Sequence, residues 1–518
     1  MSKLRFGILC TLTTIILSLA GVLISAQDQT TAKTSSGPYD LPTVGSNPNY
    51  REFKGSYDYP SDSIPGSQPW IPPLGGKSIN VENAEGYISI VKDEIAADMI
   101  NLLSDSQEKD TPVIWNPSAE HWYNEPWLSK LRDGIHGTYV GSPCMATALF
   151  PRSGLKAPFT TYVLVFYNDI AARSLQRVWG DDPLSPNLQS KAVQFDEGSI
   201  IVKAAFTTAT ATDWEPMTGA LTWDIYTQQT ICPDNKLADK ASVFPVNFFQ
   251  FDIIVKDSTA APKTSWVFST LTYDKDIPAD PSLSPTEQIW EKMGILGVMW
   301  GNDPDVTDPT ATLEENWINP KAPVYATETL GWRGRLSGPN DGSVQNPPYY
   351  TCKGNGCDPV KPCADASLCT LVEVPGPNIA VSSCMSCHGA AQFAMTSFLL
   401  PSPTDNAFST GTPNVHNGSV FFEPGSEEWM RWFQDRTGKE PQDAGNKFVI
   451  VATDYDMNLP FKVLPQWAQE ICITQNNPGN NPVCNLLSQL PPPPKPPKPG
   501  DEIQLDYQGQ AISGNGAK

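Results

Sequence analysis

Cys384-Met385-Ser386-Cys387-His388 constrains this chain more than any other stretch of its 518 residues. The spacing is C-x-x-C-H, two thiols three positions apart with an imidazole beside the second. Such thiols can add to the two vinyl groups along one edge of a porphyrin, and the adjoining histidine then serves as an axial ligand to the iron. The spacing predicts one covalently held haem c, with Cys384 and Cys387 as attachment residues and His388 as the metal ligand. One disulfide beside an incidental surface histidine is the structural alternative. A zinc half-site fits less well, because no second C-x-x-C or H-x-x-x-H follows to complete four ligands.

Haem of this kind is attached outside the cytoplasmic membrane, and the first residues match that compartment. Lys3 and Arg5 form a basic n-region, Phe6 to Ile24 is uncharged and mostly apolar, and small residues at Ser18-Leu19-Ala20 and Ile24-Ser25-Ala26 offer cleavage sites. Residues 1–26 read as a signal peptide and the chain as periplasmic or otherwise exported. The apolar run also approaches the ~20 residues that cross a bilayer, so an uncleaved N-terminal anchor stays open. Cys10 follows Leu9, which is not the small residue a lipoprotein site needs, and no later segment is a transmembrane candidate. Of eleven cysteines, eight remain after Cys10 and the motif pair, and an even number in an exported chain fits disulfides. Proximity in sequence pairs Cys352 with Cys357, Cys363 with Cys369 and Cys472 with Cys484, leaving Cys144 and Cys232 to pair across the front half.

The formal net charge is −21, and −23 once Lys3 and Arg5 leave with the leader. That sign disfavours nucleic acid and anionic membrane surfaces as partners and suits a redox partner protein with a basic face. Solubility alone accounts for the charge equally well.

Residues 27–80 are an extended leader rich in Pro, Gly and Ser. A β-rich domain follows over 81–340, then a disulfide-rich loop and haem segment over 341–490 and a Pro-rich tail over 491–518. Apolar spacing predicts a helix over Tyr87 to Leu103, with Ile88, Val91, Ile95, Met99 and Leu102 on one face. Phe159 to Tyr167, Ser199 to Phe206, Phe248 to Val255 and Trp266 to Tyr273 read as strands of a half-buried antiparallel sheet. Ala171 to Val178 reads as a helix, Ile295 to Trp300 as a further strand and Pro339 to Pro377 as loop. Ser386 to Leu399 and Ser426 to Arg436 are predicted helices, Phe448 to Ala452 a short strand, and the tail after Leu490 a polyproline spacer or disordered end. The class is α+β: an antiparallel β-rich N-terminal unit, then a mainly helical and loop C-terminal segment carrying covalent haem c.

Phe195 to Lys203 (FDEGSIIVK) and Ser265-Trp266-Val267-Phe268 resemble strand motifs of the β-sheet cytochromes c-prime and their lysine-crosslinked relatives. The order of two such strands, then C-x-x-C-H, then Phe398-Leu399-Leu400 is also similar to that superfamily, over Phe159 to Tyr273 and Ser383 to Leu400. A long insertion separates Trp266 from Cys384, where those small cytochromes have a short link. More broadly, Pro126-Trp127, Ile135-His136-Gly137, Arg177-Val178-Trp179 and Met299 to Pro304 resemble large uncharacterised bacterial proteins with one C-terminal haem motif. The resemblance implies a monohaem c-type cytochrome and assigns no reaction.

What stands opposite His388 decides the chemistry. A methionine sulfur would fill the iron's coordination and favour an electron carrier, whereas an open side would admit peroxide, nitric oxide or hydroxylamine. Met457 is the leading methionine and His416 the alternative histidine. Met395 follows His388 too closely in the same predicted helix, and Met430 reads as a packing residue. In the lysine-crosslinked relatives a lysine bonds to the porphyrin; Lys203 is considered for that role, against the ordinary reading of a solvated strand residue. His121 and His136 lie in a Trp-rich segment and either make structural contacts or approach the haem edge. The two functional expectations are single-electron transfer by an exported haem c protein, and a haem-dependent oxidoreductase or gas-binding protein with an open distal site.

Overall fold

In the computed structural model, a nine-stranded antiparallel sheet organises the chain. The structure describes residues 49–61, 76–105, 121–128, 132–232, 234–308, 311–340, 383–393, 433–440 and 451–468, with short pieces between and beyond them. Residues 1–26, Met395 and His416 lie outside the described residues. Among the described residues no helix is long and apolar enough to cross a membrane.

In chain order the main elements are α1 (Ala84–Glu94), α2 (Ala96–Ser104), β1 (Trp122–Tyr123), β2 (Tyr139–Val140), β3 (Thr161–Asn168), α3 (Asp169–Trp179), β4 (Ile200–Thr207) and β5 (Thr222–Thr227). Then come β6 (Thr230–Ile231), β7 (Lys236–Leu237), β8 (Ser242–Lys256), β9 (Trp266–Tyr273), α4 (Pro285–Glu291), β10 (Met293–Met299) and β11 (Asn316–Ile318). The sheet runs β1-β3-β4-β8-β9-β10-β11, with β2 added to β3 and β5 to β8.

Each strand expected from its β-branched and aromatic run is present, and β9 has the expected ends. The long β8 does two jobs: Ser242 to Asn247 pairs with β5, and the rest is sandwiched between β4 and β9. Pro245 falls in the first part, where only β5 flanks it, so its missing N–H breaks no second ladder. The sheet is not half-buried as its strand lengths suggest. All eight residues of β9 and seven of eight in β3 are buried, because both faces are covered.

Period-2 alternation sorts those faces. Odd residues of β8 such as Phe251 meet the helical side, where Phe251 stands edge-on to Trp290 of α4 at 5.2 Å. On the even face, register aligns Tyr167, Ile201, Ile254 and Phe268 in one row and Lys256 beside Trp266 in the next. This second face carries the segment that holds the C-x-x-C-H motif.

The predicted helix over Tyr87 to Leu103 is two helices, broken at Ile95, which follows α1 and caps α2. Residues 49–61 are extended, as expected, and dock through Phe53 N–H on the Gly134 carbonyl and Tyr59 Oη on the Asn124 carbonyl. Three further expectations are corrected. Within the predicted loop 339–377, β12 (Tyr349–Cys352) pairs with β13 (Cys369–Val372), its register setting Cys352 opposite Cys369. The tail is not wholly spacer: past the proline run, Gln504–Leu505 and Ala511–Ile512 form a hairpin that adds to β7. Phe433 to Arg436, the end of the predicted helix Ser426 to Arg436, is not helical.

Cys144 is joined to Cys232 and Cys472 to Cys484, as proximity suggested. Nothing bears on Cys357 or Cys363, which lie outside the described residues. Closing a loop of 88 residues restricts the unfolded chain more than closing one of 12, and the chain-entropy relation puts the two closures at about 4.6 and about 2.8 kcal/mol. Replacing Cys144 and Cys232 together by serine is expected to lower the unfolding free energy by about 2–4 kcal/mol in a urea titration; an unchanged midpoint would contradict the pairing.

Candidate functional site

The motif forms a single helical turn, α5 (Cys384–His388), after the four-residue helix Val324–Thr327. Ser383 caps it: its Oγ accepts from Ser386 N–H at 3.1 Å, and its own N–H donates to Ser386 Oγ at 2.7 Å. Two outside bonds pin that cap. Cys384 N–H donates to the Leu336 carbonyl at 2.9 Å, and Ser383 Oγ donates to Asn302 Oδ1 at 2.9 Å. Asn302 is itself fixed, its N–H donating to Asp435 Oδ1 and its carbonyl accepting from buried Arg335.

Positions three and four apart share a helix face, so Cys384, Cys387 and His388 stand together. These three residues are half-buried, while Met385 and Ser386 between them are fully buried anchors. Both cysteines stand as thiols. The helix does not continue to Leu399 as the sequence predicts. Gly389, a poor helix former, follows His388, and Gln392–Phe393 pairs with Val451–Ala452 instead. Long-range pairing overrides local propensity here.

That pairing brings residues 453–458 under the motif. His388 Nδ1 lies 2.7 Å from the carbonyl oxygen of Tyr455. A carbonyl can only accept, so Nδ1 carries the ring proton. Phe268, from the row Tyr167-Ile201-Ile254-Phe268, meets the imidazole edge-on at 4.8 Å. Close approach of Tyr455 requires Gly389, where a Cβ would stand 2.7 Å from the Met385 carbonyl oxygen and 3.2 Å from Tyr455 Oη.

Around this turn lies a buried polar belt. Asp454 accepts from Lys256 Nζ at 2.8 Å, Trp266 Nε1 at 2.9 Å and Phe195 N–H at 2.8 Å. Asp456 accepts from Tyr167 Oη at 3.0 Å and from Asn458 N–H at 2.8 Å. Trp179 Nε1 donates to Glu125 at 2.7 Å. Burial pushes Asp456 up to about 6, partly offset by those two hydrogen bonds. Burial, then the nearby Asp456 charge, hold Glu125 well above the usual carboxylate range.

The other expected residues separate on this map. Met457 is half-buried and follows Tyr455 by two residues in the segment that meets the imidazole. Lys203 is not a solvated strand residue; it shares the motif's sheet face and is paired with Asp252 at 2.7 Å. His121 is exposed and 3.3 Å from Asp169. His136 is buried, stacked on Trp223 at 4.0 Å, and burial pulls it down to about 3, leaving it a neutral core residue. Met430 is exposed rather than packed.

Asn302, Asp454 and Tyr455 were not singled out by sequence as site residues. Their only local signals are the turn-like Gly301-Asn302-Asp303-Pro304 and the run Asp454-Tyr455-Asp456. Among the described residues no group of three or more His, Cys, Asp or Glu side chains is arranged to hold a metal ion. The two thiols and the imidazole therefore do not converge on one cation, as a zinc site would require. Two thiols and an imidazole on one face of a helical turn are the groups that would hold a haem c, the thiols by attachment and His388 as ligand.

Folded Asp456 holds its proton more tightly than the unfolded chain, so its contribution to stability is complete below 3.8 and is lost as pH rises through about 6. Asp456→Asn, which cannot ionise but still accepts from Tyr167, is expected to raise the urea midpoint above wild type at about pH 8 and to lose that advantage at about pH 4.5. A difference independent of pH would contradict the assignment.

Comparison with protein-family models, with curated proteins and with solved structures finds no match for the chain.

Proposed function

We propose that this chain is an exported monohaem c-type cytochrome, which holds one haem c and exchanges single electrons with a protein partner. The observation that carries the reading is the division of labour within the motif. Cys384 and Cys387 share one face of a helical turn, and His388 beside them has Nδ1 committed to the Tyr455 carbonyl, so that Nε2 is the nitrogen that would ligate the iron. Under this reading the α+β chain presents a haem segment, within 341–490, on one face of its antiparallel sheet.

When bound, the haem supplies a one-electron couple whose potential follows its axial ligands and surroundings. The two cysteines anchor it by thioether bonds. The Tyr455 carbonyl fixes the imidazole's tautomer and plane and strengthens its donation through Nε2. Phe268 meets the imidazole edge-on, and the Tyr455 ring packs on Phe268 and Trp266 behind it. Disulfides Cys144–Cys232 and Cys472–Cys484 support export, since such bonds persist in oxidising compartments. The net charge of −21 suits a partner with a basic docking face.

The alternative reading is a haem enzyme or gas-binding protein whose distal side is open to peroxide, nitric oxide or hydroxylamine. Absorption spectroscopy on protein matured in a host competent for cytochrome assembly tests both. Soret absorption is expected to survive acid–acetone extraction in wild type and to be lost in Cys384→Ser/Cys387→Ser. Its absence from wild type would sink the haem assignment. A low-spin ferric spectrum unmoved by cyanide indicates the carrier, and a high-spin spectrum that shifts on adding cyanide or nitric oxide indicates the open site.

A further inference from the structure

We propose that Asp454 is a positioning residue, whose buried carboxylate locks a left-handed turn so that the Tyr455 carbonyl is aimed at His388 Nδ1. The consequence for a bound metal rests on the haem reading above; the geometry does not.

The turn is strained. Asp454 has φ 48° and Tyr455 φ 70°, two consecutive side-chain-bearing residues in the region that favours glycine. Such conformations are costly for residues with a side chain and persist only where the surroundings over-determine them. Here the surroundings do so. The Asp454 carboxylate takes four hydrogen bonds: two from Lys256 Nζ, one from Trp266 Nε1 and one from Phe195 N–H. Lys256 and Trp266 are cross-strand partners on β8 and β9, so the sheet register itself presents a cation and an indole N–H side by side. The Asp454 side chain is 0% exposed and that of Lys256 5%, so water does not compete for these bonds.

The Tyr455 ring is fixed as well. Its hydroxyl donates to the Arg436 carbonyl at 2.8 Å, and the ring packs on Phe268 and Trp266. Gly438 makes room, since a Cβ there would meet Asp454 Oδ1 at 2.8 Å and Tyr455 Cδ2 at 2.9 Å. With side chain and carboxylate both held, the peptide between Tyr455 and Asp456 keeps little freedom. Its oxygen then enforces the Nδ1–H tautomer and orients the ring, a role that a purely structural ion pair would not have.

Two variants of the full chain separate the roles. Lys256→Met/Asp454→Asn removes the charges together, leaving no lone buried ion, and Gly438→Ala crowds the turn against Asp454 Oδ1 and Tyr455 Cδ2 while removing no polar group. Histidine ¹⁵N spectra of protein expressed without haem read the tautomer, and spectroelectrochemistry of the haem-loaded protein reads the potential. Wild-type His388 is expected to hold Nδ1–H. Both variants are expected to lower the Nδ1–H to Nε2–H ratio by about fivefold, the equivalent of one net hydrogen bond, and to raise the reduction potential. An unchanged tautomer ratio and potential in both folded variants would overturn the proposal while leaving haem binding intact. Absence of covalent haem from wild type would instead defeat the functional reading, with the tautomer still testing the turn. Where neither variant folds, Trp266→Phe removes one of the four bonds and is expected to shift the ratio the same way; no shift would overturn the proposal.

Discussion

The 2.7 Å contact from His388 Nδ1 to the Tyr455 carbonyl is the interaction on which the rest of the site depends. It joins a five-residue turn, which has little stability of its own, to a segment 67 residues further along. A short helix cannot hold itself in water, because nucleation costs more than so few bonds return. This one is held from outside, by Asn302 and Leu336 at its start and by Tyr455 at its end. The sheet serves as the common support, since its even face carries Lys256, Trp266 and Phe268 beneath the same few residues.

That face is unusual in what it buries. Lys256 with Asp454, Lys203 with Asp252, and Tyr167 with Asp456 all lie between sheet and covering segment. A buried ion pair seldom adds net stability over a hydrophobic pair of the same shape, but breaking one leaves an uncompensated charge and is costly. The belt therefore specifies where residues 451–458 sit more than it stabilises the fold. Stability comes from the opposite face and the rims, where Phe251, Trp290, Trp214 and Phe159 pack edge-on and stacked.

What was legible in the sequence followed from local chemistry. The strand Trp266 to Tyr273 is eight residues between turns, all but Leu271 β-branched, aromatic or small, and it folds as read. The motif spacing marked both thiols and the imidazole, although the predicted helix opened at Ser386 and the observed turn begins at Cys384. Less legible were features set by distant partners. The run after His388 looks helical, yet Gln392 and Phe393 take a strand partner near residue 451. Helical turns over Leu459–Val463 and Leu464–Ala468 contain Pro460 and Pro465, which discourage a helix reading, although proline is tolerated in a first turn. Asp454 and Tyr455 could not be picked out because their importance lies in a backbone conformation and in bonds to Lys256 and Trp266, far away in sequence. The Pro-rich tail has no apolar pattern to announce that Gln504 would pair with Lys236.

Central to this account is that the two motif thiols form thioether bonds to a single porphyrin. Peptide mapping by mass spectrometry, on protein secreted from a host with the cytochrome-assembly machinery, tests it most directly. The account predicts that the peptide containing Cys384 and Cys387 is heavier by one haem and resists both reduction and alkylation. Recovery of that peptide with a disulfide between the two cysteines, or with both thiols open to alkylation, would contradict it.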